Sequence, residues 1–307
     1  MTRKIGVIGS GHVGSTVAHY IVAAGFADEL VMIDKNEAKV VSDAVDLRDA
    51  MPNLPFHTNI TVNDYSALKD ADVIISAMGN IKLQSSEASD RFAELPFTSE
   101  QVKSISEKIK ESGFNGVIVD ISNPCDVITS FYQKYTGLPK NQVIGTGTLL
   151  DSARMLREVS EELHVDPKSV HGYNLGEHGN SQFTAWSTVS VFDKPITEIA
   201  KETDLDLAAL DDGARKGGFK VFSGKQYTNY GVATAAVRLA NVVLNNSLTV
   251  LPVSNYQPDL DVYLSYPAVV GRKGIVKRVP LSLTDEEQAK LQNSADFIKA
   301  NLKKYSE

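Results

Sequence analysis

Lys4-Ile5-Gly6-Val7-Ile8-Gly9-Ser10-Gly11-His12-Val13-Gly14 is the stretch that decides the fold. An apolar run ends in glycines spaced G-x-G-x-x-G, and beyond them Val17, Ile21 and Val22 recur at helical spacing. The order is strand, glycine turn, helix. In that setting the glycines serve a tight turn, close approach of a pyrophosphate to the backbone, and tight packing of helix on strand. The helix N-terminus then offers N–H groups and the positive end of its dipole to the phosphates. Such a motif alone is weak, but a second apolar run, Leu30 to Ile33, ends in Asp34, about 20 residues past the last glycine. An acid there can accept hydrogen bonds from an adenosine ribose and repel a 2′-phosphate, so the pair predicts NAD rather than NADP, with Lys35 softening the repulsion.

Outward from this unit the alternation continues. Asn36 to Ala50 reads as helix, Asn59 to Val62 as a short strand and Asp72 to Ser76 as an apolar strand. A helix from Arg91 to Ser112, a strand Val117 to Asp120, a helix after Pro124 and a strand Val143 to Ile144 follow. Strands alternating with helices imply right-handed crossovers and a doubly wound α/β parallel sheet of the Rossmann type. Between Gly79 and Arg91 the chain is polar and lacks apolar periodicity, and it leaves the carboxyl end of a central strand, where ligands bind in such sheets. That placement predicts a lid.

Past residue 146 the pattern changes to mixed α+β. Thr184 to Phe192 is β-like, and Tyr227 to Asn246 reads as a long helix with Val232, Ala236, Leu239 and Val243 on one face. Two β-rich segments, Leu248 to Val253 and Asp261 to Val279, are broken by Gly271-Arg272-Lys273-Gly274, a hairpin turn. A last helix opens with Thr284 and Glu287 in capping-box spacing and repeats Leu291, Ala295, Ile298 and Leu302. The shift predicts a dinucleotide-binding domain over 1–145 and a substrate domain over 146–307.

Composition narrows the function. With 42% hydrophobic and 22% charged residues the chain is an ordinary globular protein, and a net charge of −7 argues against a nucleic-acid partner. The single cysteine, Cys125, fits a reducing compartment; following Pro124 with no basic cluster near it, it reads as a small buried side chain. Met1-Thr2-Arg3-Lys4 runs straight into a strand without a signal-peptide core, and no apolar run approaches membrane-spanning length. A cytoplasmic enzyme with no membrane partner is expected.

Chemistry gathers between Asp151 and His178. A histidine can give and take a proton near neutral pH, a carboxylate such as Asp151 can fix its tautomer, and Arg154 can grip a substrate carboxylate with two parallel hydrogen bonds. Glycines beside His178 allow a sharp, exposed backbone path. Alone, Asp151 and Arg154 read equally well as an ion pair one helical turn apart, and His178 as a loop histidine. His171 and His178, seven apart, do not match H-E-x-x-H, so no metal is expected. His12, His19, His57 and His164 read as helix-surface or loop residues.

The chain resembles the L-lactate/malate dehydrogenase family over nearly its whole length. The matches are Gly9-x-Gly11-x-x-Gly14, Asp34, Asp90-Arg91-Phe92-Ala93-Glu94-Leu95, Ser122-Asn123-Pro124, Leu150-Asp151-Ser152-Ala153-Arg154, Gly176-Glu177-His178-Gly179 and Tyr227-Thr228-Asn229-Tyr230-Gly231. The resemblance implies that His178 is the proton donor and acceptor, Asp151 its partner, Arg154 the carboxylate clamp and Arg91 a lid residue polarising the carbonyl. Asn123 and Thr228 would line the substrate site. The glycine turn with His12 and Val13, then Asp34, Ala77, Gly79 and Asn123, would hold NAD, and a homo-oligomer, dimer or tetramer, is implied.

Three departures bear on what the enzyme takes. The lid is a few residues longer than the usual lactate dehydrogenase pattern, and the residue meeting the substrate side chain is one of Lys82, Leu83 and Gln84. With Arg91 the only arginine there, a dicarboxylate is not expected unless Lys82 serves. A longer, partly apolar lid implies room for a medium-sized apolar 2-oxo acid such as 2-oxoisocaproate, as in the L-2-hydroxyisocaproate dehydrogenase branch; the alternative is lactate. Asn180 stands where the family carries aspartate. Members activated by fructose 1,6-bisphosphate have an arginine and a histidine at the positions of Leu156 and His171, so the leucine predicts no such activation. Two rivals share the fold. A metal-requiring NAD-dependent glycosidase would need a cysteine where Ser122 stands, and a non-enzymatic NAD-binding scaffold would not need His178, Asp151 and the two arginines.

Overall fold

The computed structural model describes residues 2–79 and 94–305. The first half lays down β1 (Lys4–Ile8), α1 (His12–Ala23), β2 (Glu29–Ile33), α2 (Glu37–Ala50), β3 (Asn59–Val62), β4 (Val73–Ser76), α3 (Leu95–Ser112), β5 (Val117–Asp120), α4 (Cys125–Thr136) and β6 (Val143–Gly145). These six strands lie parallel in the order β6-β5-β4-β1-β2-β3, so the chain reverses its direction of growth between β1 and β4. β4, β5 and β6 are buried along their whole length, which is why they read as unbroken apolar runs rather than alternating ones.

Helices cover both faces. On one, Val17 and Ile21 of α1 and Val40 and Ala44 of α2 pack with the sheet; on the other, Val102 and Ile109 of α3 and Phe131 of α4 do. Each fully buried Val, Ile or Phe contributes about 1.5–3 kcal/mol relative to an exposed one, so these two layers hold the carboxyl ends of the strands in place. α3 begins at Leu95, with Pro96 in its first turn, where a proline's missing N–H is harmless. The expected start at Arg91 lies outside the described residues.

The second half runs α5 (Leu149–Leu163), β7 (Val170–His171), β8 (Asn174–Leu175), β9 (Phe183–Thr184), β10 (Ser190–Val191), β11 (Lys194–Pro195), α6 (Ile196–Thr203), α7 (Leu207–Lys225), α8 (Tyr230–Asn245), β12 (Thr249–Gln257), β13 (Val262–Gly271), β14 (Gly274–Arg278) and α9 (Asp285–Tyr305). β12 pairs with β6 and carries β13 and β14 antiparallel beside it, so one sheet of nine described strands crosses the change of pattern near residue 146. Gly271 and Gly274 pair across the hairpin turn between β13 and β14.

Two elements differ from the sequence reading. Thr184 to Phe192 is not one strand: a short 3-10 turn over Trp186–Thr188 separates β9 from β10, and Phe192 takes a left-handed φ of 50°. α7 has no counterpart in the periodicity because it carries Gly213, Gly217, Gly218 and Gly224, residues that disfavour helix. Packing explains two of them. A methyl on Gly218 would stand 3.1 Å from the Arg154 guanidinium, and one on Gly217 would stand 3.4 Å from Arg154 Cδ. α7 therefore lies directly over the α5 arginine.

Candidate active site

The crevice at the β1/β4 reversal is framed by the residues expected there. Gly9 to Gly11 form the turn from β1 into α1, and a methyl on Gly14, in the helix's first turn, would collide with the carbonyl oxygen of Gly9, so only glycine lets the helix sit this close to the strand end. A methyl on Gly11 would meet nothing within 4 Å, so the space over that backbone is open to a ligand. Asp34, beyond β2, accepts from the Ser10 amide at 2.5 Å and the Asn36 amide at 2.7 Å, tying the second strand end to the glycine turn. Ala77 and Gly79 follow β4, and Met78 donates its amide to Ser122 Oγ at 3.1 Å, which joins the β4 and β5 ends. Open backbone at Gly11, a helix N-terminus and a carboxylate at the next strand end fit a dinucleotide.

On the other wall Asp151, on the buried face of α5, is fully buried. His178 Nδ1 lies 2.5 Å from its Oδ2, and Arg154 Nη1 donates to its Oδ1 at 2.8 Å. The three sequence-nominated side chains therefore meet at one carboxylate. Arg154 is turned onto Asp151 beneath α7 and its side chain is only 14% exposed. The sequence leaves this i,i+3 ion pair open beside the substrate clamp; the structure forms the pair, buried rather than on the surface.

The loop carrying His178 is pinned from several sides. Gly176, at φ 92°, exchanges backbone hydrogen bonds with Ser265 of β13, and Ser294 Oγ of α9 accepts the Glu177 amide at 2.6 Å. Asp126, in the first turn of α4, accepts the His178 amide at 2.8 Å; burial pushes its carboxyl up to about 7, against that bond. Glu177 accepts the Ser181 amide at 2.9 Å and hydroxyl at 2.7 Å. The histidine ring thus projects from a backbone fixed to β13, α4 and α9, which is what a repeatable proton position requires.

Asn123 lies half-buried between β5 and α4, and Thr228 half-buried between α7 and α8. His12 stacks flat on Tyr227 with ring centroids 3.8 Å apart, and Asn229 donates to Thr16 Oγ1 at 3.0 Å, so the Thr228 segment is fastened to the glycine turn. Lys225 stands over the rings of Tyr227 and Tyr230. Only the chain positions of these partners were legible beforehand, as one tyrosine-rich motif. Arg91, Lys82, Leu83 and Gln84 lie outside the described residues. His171 is exposed at the end of β7, Leu156 packs in the cluster under α7, and Cys125 is buried, with burial raising its thiol. Among the described residues no three His, Cys, Asp or Glu side chains gather as metal ligands would.

Residues 3–145 match the family model for the lactate/malate dehydrogenase NAD-binding domain, and 148–307 match that for its alpha/beta C-terminal domain. The chain belongs to the lactate/malate dehydrogenase family. It is an NAD-dependent 2-hydroxyacid oxidoreductase. An L-lactate dehydrogenase 3 of Bacillus thuringiensis subsp. konkukian is 37% identical over 98% of both chains. An L-lactate dehydrogenase 2 of Enterococcus faecalis is 35% identical over 97% of this chain and 95% of its own. Among solved structures, the minor L-lactate dehydrogenase of Enterococcus mundtii, with ligands bound, superposes with a TM-score of 0.93 at 34% identity, covering 99% of this chain and 98% of its own. A lactate dehydrogenase from a Medee basin deep-sea metagenome gives 0.93 at 33% identity, with complete coverage of both chains. Within the family these names back lactate, the alternative substrate, over the bulkier one expected from the lid; nearness to the L-2-hydroxyisocaproate branch finds no support in them.

Proposed function

We propose that this enzyme reduces small 2-oxo acids, pyruvate foremost, to L-2-hydroxy acids, and runs the reverse oxidation. The observation that carries the reading is the imidazole and guanidinium held on one buried carboxylate beside the dinucleotide crevice. Bound NADH supplies the hydride. His178 gives its ring proton to the oxygen that gains charge, and Asp151 stabilises the imidazolium before that transfer. Arg154 spends one Nη1–H on Asp151 and has further N–H donors in its planar fork for the substrate carboxylate. Its cover by α7 keeps water from screening that contact. Asn123 and Thr228 are proposed as walls of the substrate pocket, and Arg91 as the group that polarises the carbonyl. A cytoplasmic setting and a homo-oligomer complete the reading. What supports lactate chemistry is the names of the relatives.

The test is a kcat/KM series with NADH over pyruvate, 2-oxobutyrate, 2-oxoisocaproate, phenylpyruvate and oxaloacetate. Pyruvate should lead. A clear preference for 2-oxoisocaproate would return the assignment to the larger apolar acid, and no turnover with any of the five would end it.

A further inference from the structure

Gln182 is 4% exposed and sits one residue before β9, at the end of the loop that carries His178. Its amide faces Asp151. With the oxygen turned inward, lone pairs would oppose a carboxylate; with the nitrogen turned inward, Nε2 donates to Asp151 Oδ2 at 2.9 Å and Oδ1 at 3.2 Å. Hydrogen-bond partners decide an amide's orientation, and here they require the donating one. Asp151 then receives an imidazole, a guanidinium and an amide on its two oxygens.

Each N–H aimed at a carboxylate spreads its negative charge and weakens its pull on a neighbouring cation. We propose that Gln182 is a positioning residue that sets how firmly the His178–Asp151 pair holds its proton, and hence the pH at which 2-oxo acid reduction fails. The proposal rests on the proton-donor role given to His178. Of the charged groups around the pair, Arg154 acts in the same direction as Gln182, from α5. Asp126 on α4, bonded to the His178 amide, and Glu177, next to it in the loop, act in the opposite one. Gln182 differs from all of these in being neutral, so replacing it by methionine alters the donor count on Asp151 without changing any charge.

Two variants give opposite signs. Q182M keeps the length and removes the donor, so the pair's proton affinity rises, whichever partner carries the proton. Q182K brings a cation to the carboxylate and lowers it. Gln182 borders an open pocket of about 310 Å³ lined also by Asp211, Arg215 and Lys290, so the extra length is not confined by packing on that side. The alkaline fall of kcat/KM for pyruvate reduction should move up by about one pH unit in Q182M and down by about the same in Q182K, the size of one hydrogen bond to a charged group. The NMR titration of the His178 ring, assigned by its loss in H178N, should move with it. Unmoved midpoints, or shifts of the same sign in both variants, overturn the proposal; if Q182M does not fold, the sign in Q182K decides. Ring titrations that shift as expected in a protein without 2-oxo acid turnover would sink the proposed function and leave Gln182's role standing.

Discussion

Asp151→Asn isolates the charge at the bottom of the site. The replacement keeps the shape and one acceptor oxygen but removes the negative charge that faces His178 at 2.5 Å and Arg154 at 2.8 Å. A hydrogen bond to a charged group contributes about 1.5–3 kcal/mol, and a fully buried carboxylate is screened little. Imidazolium therefore loses about 2–4 kcal/mol of stabilisation when the proton must be available, a drop of roughly thirty- to a thousandfold in kcat/KM for pyruvate reduction. NADH affinity should hold, because Asp151 takes no part in the glycine turn. The assay is steady-state NADH oxidation, with NADH fluorescence titration for binding and thermal melting to show that the fold survives. A folded D151N enzyme within about fivefold of wild type would refute the role given to this carboxylate.

Two further substitutions test the fold that positions it. Gly14→Ala drives a methyl into the Gly9 carbonyl oxygen, so the turn must open and the Kd for NADH should rise at least about tenfold; binding at the wild-type Kd would show that the turn is not the cofactor's seat. Burial alone would raise the Glu287 carboxyl, but hydrogen bonds from Ser187 and Thr284 outweigh it and hold it below its ordinary 4.5. A carboxyl lowered by folding contributes stability above its unfolded value and loses it as pH falls through the folded one. Glu287→Gln should therefore cost about 1–2 kcal/mol by denaturant melts at neutral pH, with the gap to wild type closing in acid; a gap that persists at low pH would contradict this.

What the sequence revealed tracks how local the signal was. The Thr284/Glu287 box is legible because its partners lie three residues apart, and the structure shows both reciprocal bonds, at 3.0 and 3.2 Å. β1, β2 and β4 to β6 were legible because doubly buried strands have no polar alternation to confuse them. The His178–Asp151 contact spans 27 positions and was nominated by chemistry and resemblance rather than by any pattern. α7 was not legible: of the glycines that spoil its helical signal, Gly217 and Gly218 pack against Arg154, a constraint that exists only once α5 and α7 are packed. The His12–Tyr227 stack and the Gln182 amide are of the same kind, since neither residue belongs to a local pattern that predicts its partner. Lys82, Leu83 and Gln84, proposed to meet the substrate side chain, lie outside the described residues, so the proposed chain-length preference rests on the comparisons.

The most direct test of the account is His178→Asn, measured by NADH titration and pyruvate turnover on the same preparation. Proton transfer by a placed histidine accounts for about 10²–10⁴-fold in rate, so turnover should fall at least a hundredfold, while NADH binds within about twofold of wild type. Turnover that stays within about tenfold of wild type, with the variant folded, would mean that another group moves the proton.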